Sequence, residues 1–426
     1  MRLGGRLSAA MEIIQDIDTR HRPAADAMRD WGLSHRFAGS GDRAAIGNFV
    51  YDALRRRRSA AWLFDSDTPR ALVLGAYFLE TGAAPQALAA DLEGDHFAPE
   101  PMSDAELQMV GERLAQDMPD TEQANLPSWC EESLKLAFGE AWVREGAALA
   151  ARPPLDMRVN TLKAHREKVL KALSQTGATA SPLAPHGVRI APIEANGRHP
   201  NVQAEPAYRK GWFEVQDEGS QIVAELAGAA AGQQVLDFCA GAGGKTLALS
   251  ARMENKGQVF AFDADKQRLA PIFDRLKRAG SRNVQVVSRL EGLEQQRGQM
   301  DLVLVDAPCT GSGTWRRRPD AKWRLTRQQL EARMAEQAAI LDDAATFVRP
   351  GGRLVYITCS VFREENQNQA EAFINRNPAF RRQDHIALWQ QCFEAEMPAH
   401  LHQDGLVLTP ASTGTDGFHL TSFLRD

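Results

Sequence analysis

Cysteine is scarce: the 426 residues contain five, at positions 130, 239, 309, 359 and 392. Their number is odd and none forms a Cys-x-x-Cys pair, which argues against a disulfide framework or a cysteine zinc site and for free thiols in a reducing compartment. No apolar run reaches the roughly 18 residues that a membrane-spanning helix needs. The N-terminal stretch MRLGGRLSAAMEIIQDIDTR has no sustained apolar segment and meets acids early, so no secretory leader is expected and the chain reads as cytoplasmic, with no membrane partner. Excess positive charge is also missing: 50 Lys+Arg face 55 Asp+Glu. What remains is an ordinary globular composition, 43% hydrophobic and 25% charged, in a chain long enough for several domains at roughly 100–200 residues each. There is no internal repeat.

The charge is unevenly placed. Residues 1–150 carry 15 Lys+Arg against 24 Asp+Glu, yet residues 1–60 alone carry 11 basic and 7 acidic side chains. Basic residues cluster in Arg55-Arg56-Arg57-Arg58 and in Arg316-Arg317-Arg318. Such runs can serve a polyanion or form a solvated helix face.

Residues 1–145 read as helical, with apolar residues at helical spacing (Ile46, Phe49, Val50, Ala53, Leu54) and no strand-like alternation. Ser103 followed by Glu106 forms a capping box opening a helix after a proline-containing loop. Ala151-Arg152-Pro153-Pro154 reads as a linker. A small α/β unit follows, with strands at 157–160, 188–190 and 213–216 and a helix over 164–175. From 232 onward strands alternate with helices: strands at 235–238, 258–262, 284–287, 302–305 and 354–358, and helices over 246–253, 266–279 and 327–347. That order predicts a mostly parallel sheet, with ligands beyond the carboxyl ends of its strands.

The informative residues fall at those ends. The first strand leads into Asp237-Phe-Cys-Ala-Gly-Ala-Gly-Gly-Lys-Thr246. A P-loop would need glycine where Cys239 stands, and a dinucleotide fingerprint would need glycine or alanine where Thr246 stands. The glycines still predict a tight turn, which either lets backbone approach a ligand at a helix N-terminus or simply joins strand to helix. Asp263 ends the second strand, where an acid can accept from ribose hydroxyls or cap a helix. Asp306-Ala-Pro-Cys309 and Thr358-Cys359-Ser360 end two later strands. A buried cysteine is often plain packing, as Cys130, Cys239 and Cys392 read. Two of them at strand ends beside Asp306 point to thiolate chemistry.

DFCAGAGGKT, FAFDAD, DAPCTGSGT, RRRPDAKWR, ITCSVFREEN and the closing DGFHLTSFLR, with RVNTLK and EVQDEGSQ upstream, resemble the Sun (Fmu) family of RNA cytosine-5 methyltransferases, especially its RsmB-type ribosomal branch. GDRAAIGNFVYDALRRRRSAAWLF is more weakly similar to that branch's NusB-like domain. The resemblance implies an α/β fold: a Rossmann-like class I methyltransferase domain over 217–426, a small α/β RNA-binding domain over 149–216 and an all-α NusB-like domain over 1–148. It implies S-adenosylmethionine as donor and no metal. Cys239, Ala240, Gly241, Ala242, Gly243, Gly244 and Lys245 match the family's methionine-end turn, Asp263 its ribose ligand and Asp306 the carboxylate beside donor and base. Cys359 matches the nucleophile and Cys309 a second cysteine linked to product release. Two departures stand out. Gly241-Ala242 replaces the usual Ala-Pro, and Ser288-Arg289-Leu290 stands where an acid near the adenine is usual, with Glu291 as a substitute.

The chemistry accounts for the residue types. A thiolate adding to carbon 6 of cytosine makes carbon 5 nucleophilic toward a sulfonium methyl, and a base in a paired region must first be flipped out. Arg316, Arg317, Arg318, Lys322, Arg324 and Arg327 with Trp315 and Trp323 suit phosphate contact and base stacking. The expected function is methylation of cytosine C5 in RNA, ribosomal by resemblance, by a monomer. The alternative is a non-catalytic RNA-binding assembly factor that keeps the fold.

Overall fold

The computed structural model describes residues 1–194, 197–396, 401–402 and 405–426. Contacts divide the chain into two compact units. One is helical and comprises Met1–Pro153, Pro192–His199 and Trp315–Leu325; the other is α/β and comprises Pro154–Ala191, Pro200–Thr314 and Thr326–Asp426. No described helix is long and apolar enough to cross a membrane.

In the helical unit, helix Leu3–Arg20 buries Leu7, Ala10, Ile13, Ile14 and Ile17, the three-and-four spacing of one apolar stripe. It packs with helices Ser40–Arg55 and Pro69–Thr81 around a shared core. Ser103 and Glu106 make the reciprocal capping box read from the sequence, opening helix Asp104–Leu114. The four-arginine run is taken up in ion pairs rather than left as free charge. Arg55 pairs with Asp52, Arg56 with Glu80, Arg57 with Asp18, and Arg58 with both Glu122 and Glu131.

The α/β unit holds two sheets. The smaller contains β1 (Leu155–Val159), β2 (Thr179–Ala180), β3 (Gly187–Ile190) and β4 (Phe213–Val215), in order β2-β3-β1-β4 and antiparallel throughout. The larger contains β5 (Gln234–Asp237), β6 (Gln258–Phe262), β7 (Val284–Val287), β8 (Met300–Asp306), β9 (Val348–Thr358), β10 (Phe380–Arg382), β11 (Leu401–His402), β12 (Gly405–Leu408) and β13 (Phe418–Arg425). Its order is β11-β12-β13-β9-β8-β5-β6-β7, with β10 on β13. Strands β5 to β9 are parallel, and β13 runs antiparallel against β9. Central strands are apolar throughout (Leu302, Val303, Leu304 and Val305 are fully buried) because helices cover both faces.

One detail differs from the sequence reading. The single helix expected over 266–279 is two, Lys266–Leu269 and Ile272–Ala279, divided where Pro271 has no backbone N–H to give. The small sheet makes hydrogen bonds to the larger one's surroundings. The Asn160 amide donates to the carbonyls of Gly211 and Ala279, and Arg158 donates to the carbonyl of Gly244, so its edge is tied into the larger sheet's helices.

Candidate active site

Strand β5 delivers Asp237 to the carboxyl edge of the sheet, and the chain turns through Cys239–Gly244 into helix Gly244–Arg252. Gly241 and Gly243 have φ of 49° and 82°, conformations that side chains resist, so glycine at 241 is what this turn requires. A Cβ on Gly243 would sit 2.5 Å from Ile272 Cγ1. The turn is pinned by Asp263 at the end of β6, whose two carboxylate oxygens accept from the N–H groups of Gly241 and Asp265, each at 2.8 Å. Each oxygen keeps a second lone pair for a ligand hydroxyl.

Three carboxylates converge here. Asp237 is buried; its Oδ2 accepts from Thr246 Oγ1 at 2.7 Å and its Oδ1 has no partner. Burial pushes the Asp237 carboxyl up to about 7; the Thr246 hydroxyl opposes this, and the negative charges of Asp306 and Asp263 add to it. Asp306, at the end of β8, accepts from Lys245 Nζ at 2.6 Å while its side chain stays partly open. An acidic site with an orphaned carboxylate oxygen beside a glycine turn fits the α-ammonium and sulfonium cations of S-adenosylmethionine. Among the described residues no group of His, Cys, Asp and Glu could hold a metal ion. Glu291, the sequence substitute for an adenine-side acid, lies exposed at the start of the short helix Leu290–Gln296.

The two cysteines meet. Strands β8 and β9 are paired in parallel, so the residues just beyond them, Cys309 and Cys359, arrive side by side with sulfurs 3.4 Å apart. The hydrogen bond to Cys359, together with burial, holds the Cys309 thiol well above its ordinary range. Their loops are clamped by residues that the sequence reading quoted only as part of a motif. Glu365 accepts from Thr310 N at 2.8 Å, from Thr310 Oγ1 at 2.5 Å and from Gln337 Nε2 at 2.9 Å. Asn366 donates to the Ser360 carbonyl and accepts from Thr358 Oγ1. Ser312 and Ser360 join the loops directly, their hydroxyls 2.9 Å apart. The sequence signal for these roles is the run of polar residues after Cys359, which burial turns into a hydrogen-bonded network.

The basic run requires a correction. Lys322 is fully buried, and its ammonium donates to the carbonyls of Arg55 and Asn125. Burial pulls the Lys322 ammonium down to about 7. Arg316 and Trp315 are buried too, and Trp323 donates to the carbonyl of Leu54 at 2.5 Å. The cause is local: helix Ser40–Arg55 ends with open carbonyls, and the segment Trp315–Leu325 brings donors to them. Asp320 receives the N–H of Ala24 at the start of helix Ala24–Ser34. Arg317 is half-buried; Arg318 and Arg324 reach the surface, and Arg324 pairs with Asp320.

The strand order, the glycine turn beyond β5, the acid ending β6 and the reversed last strand β13 define the Rossmann-like class I methyltransferase fold. Residues 226–424 match the family model of 16S rRNA methyltransferase RsmB/F, and residues 126–193 match the ferredoxin-like domain of RsmF/B-like methyltransferases. The chain thus carries an RsmB/F-type methyltransferase domain and, ahead of it, the ferredoxin-like domain of RsmF/B-like methyltransferases. It is 37% identical over 260 residues to ribosomal RNA small subunit methyltransferase B of Salmonella typhi. It is 38% identical over 259 residues to the Klebsiella pneumoniae protein of the same name. Each match takes in 59% of this chain and 58% of the relative, so little more than half of either relative is matched. A methyltransferase homologue from Pyrococcus horikoshii superposes with a TM-score of 0.60 at 26% identity, covering 72% of this chain and 98% of the other. The crystal structure of PH0851 covers 99% of both chains with a TM-score of 0.72 at 24% identity, which shows a shared fold.

Proposed function

We propose that this protein methylates carbon 5 of a cytosine in ribosomal RNA of the small subunit, with S-adenosylmethionine as donor and Cys359 as nucleophile. The observation that carries this reading is the pair of sulfurs 3.4 Å apart beyond β8 and β9, beside the Lys245–Asp306 pair. The RsmB/F family-model match over 226–424 and the names of the Salmonella and Klebsiella relatives support the RNA substrate.

The donor, when bound, supplies the electrophilic methyl group that an activated carbon 5 receives. Asp237, Asp306 and the turn Cys239–Lys245 would hold its amino-acid end, and Asp263 its ribose. Cys359 Sγ adds to carbon 6 of the flipped-out cytosine, which makes carbon 5 nucleophilic. Asp306, tethered by Lys245, holds the polar edge of the base. Cys309 keeps its proton and donates it in a hydrogen bond to the Cys359 sulfur as that sulfur leaves. A base, water within the site or a neighbouring carboxylate, takes the carbon-5 proton; the C–H electron pair restores the ring double bond and Cys359 leaves as its thiolate. Glu365 and Asn366 position the two loops and touch neither substrate. Of the basic run, Arg318, Arg324 and Arg327 reach the surface and remain candidates for phosphate contact.

A denaturing gel with small-subunit ribosomal RNA and purified protein tests the assignment. Cys359→Ala is expected to abolish both methyl transfer and the covalent RNA adduct. Cys309→Ala is expected to attack but not release, leaving RNA attached. An adduct from Cys359→Ala and none from Cys309→Ala would reverse the roles. Absence of turnover and of adduct in every variant and the wild type would leave a non-catalytic RNA-binding factor.

A further inference from the structure

A second concentration of positive charge appears in the α/β unit, assembled from three separate segments. Lys163 follows β1, Arg209 and Lys210 end the short helix Pro206–Arg209 and its cap, and Lys277 and Arg278 lie in the last turn of helix Ile272–Ala279. All five line one open cleft of about 570 Å³, together with a single carboxylate, Asp274. The cleft is a built feature. Lys163 Nζ donates to the carbonyls of Arg278 at 2.6 Å and Lys210 at 3.2 Å, fastening the three segments together. Among the described residues no carboxylate pairs with Lys163, Arg209, Lys210 or Lys277. Only Arg278 is neutralised, by the buried Glu214. Flat rings accompany the cations: Arg278 lies over Tyr208 at 4.2 Å, and the Trp212 ring has Lys168 at 4.0 Å and Lys210 at 5.3 Å.

Gathering unpaired like charges costs electrostatic energy that a polyanion would relieve. The cleft is also close to the donor turn. Helix Ile272–Ala279 touches that turn through Ile272 under Gly243 and through Arg275, which donates to the Ala242 carbonyl at 2.8 Å. At about 1.5 Å per residue, Lys277 and Arg278 lie within ~10 Å of Ile272 along the same helix.

We propose that this cleft, lined by Lys163, Arg209, Lys210, Lys277 and Arg278, binds the phosphodiester backbone of the RNA strand that carries the target cytosine. The proposal rests on the RNA methyltransferase reading and says which surface of the α/β unit receives the strand. It assigns to positions scattered between 163 and 278 the role that the sequence pattern gave to the run at 316–324. Cations without carboxylate partners suit phosphates, and the rings beside them suit bases without sequence preference.

The test uses the full chain with Arg209→Gln, Lys210→Gln and Lys277→Gln combined, and a short fluorescein-labelled single-stranded RNA as probe. Removing three phosphate contacts should reduce the slope of log affinity against log salt by about 2, at ~0.7 per contact for a single strand. Low-salt affinity should fall at least tenfold, KM for RNA should rise, kcat at saturating RNA should hold, and donor affinity by calorimetry should not change. A control exchanging the exposed Arg20, Arg29 and Lys135 for Gln should keep the wild-type slope. An unchanged slope in the cleft variant, or an equal fall in the control, would overturn the proposal while leaving the methyltransferase reading intact. So would loss of binding to a polyglutamate peptide with RNA binding retained, which would mark an acidic protein as the occupant. A wild-type protein that binds no RNA at all would overturn both.

Discussion

Exchanging Asp237 for Asn should change how stability depends on pH, and the structure sets the sign. The carboxyl is buried beneath the glycine turn with one oxygen unpartnered, and its folded-state pKa is pushed from an ordinary 3.8 up to about 7. A carboxyl with a raised folded pKa binds its proton more tightly in the native state than in the unfolded chain. The contribution of Asp237 to native stability is therefore greatest below about pH 4, declines as pH rises toward 7, and is level above that. Three pKa units at ~1.4 kcal/mol each put a ceiling of ~4 kcal/mol on the decline. Asn keeps the acceptor for Thr246 and carries no charge, so Asp237→Asn removes this component. Urea unfolding of both proteins at pH 4, 5.5 and 8 measures it. The variant should gain on the wild type across that range, by up to ~4 kcal/mol between the ends. Parallel pH profiles would refute the idea that Asp237 is a buried, proton-holding carboxyl. The same field makes a link to ligand: a cation seated beside Asp237 favours its ionised form, so donor binding near pH 7 should release protons in the wild type and fewer in Asp237→Asn. Calorimetry in buffers of different ionisation enthalpy reads that difference.

Asp263→Ala should weaken S-adenosylmethionine at least tenfold by calorimetry, since it removes one or two hydrogen bonds to a charged acceptor, worth ~1.5–3 kcal/mol each, and also frees the Gly241 and Asp265 N–H groups. Lys322→Gln should lower thermal stability by loosening the helix end it caps, by ~1–3 kcal/mol for buried acceptors left unmet, while the salt dependence of RNA binding stays as in the wild type. A reduced salt slope in Lys322→Gln would restore that lysine to the RNA surface.

The sequence by itself determined most of what repeats locally. Period-3.6 stripes marked the helices before Pro153, Ser103 and Glu106 marked a cap, and apolar runs ending in Asp237, Asp263 and Asp306 marked the strands whose ends bear the site. Those features are legible because backbone geometry repeats over a few residues and charges at strand ends have few structural uses. Only the tertiary structure decided which distant groups meet. Cys309 and Cys359 are 50 residues apart in sequence and reach 3.4 Å because β8 and β9 happen to be neighbours. The arginine runs illustrate the converse. Arg55 to Arg58 and Arg316 to Lys322 look like free charge in one dimension, yet carboxylates and helix-end carbonyls brought in from elsewhere consume several of them. The cations left unpaired around Lys163, Lys210 and Lys277 belong to three segments with no shared pattern. Charge is a property of a residue, but whether it is available depends on its neighbours in space, and those are set by packing rather than by order along the chain.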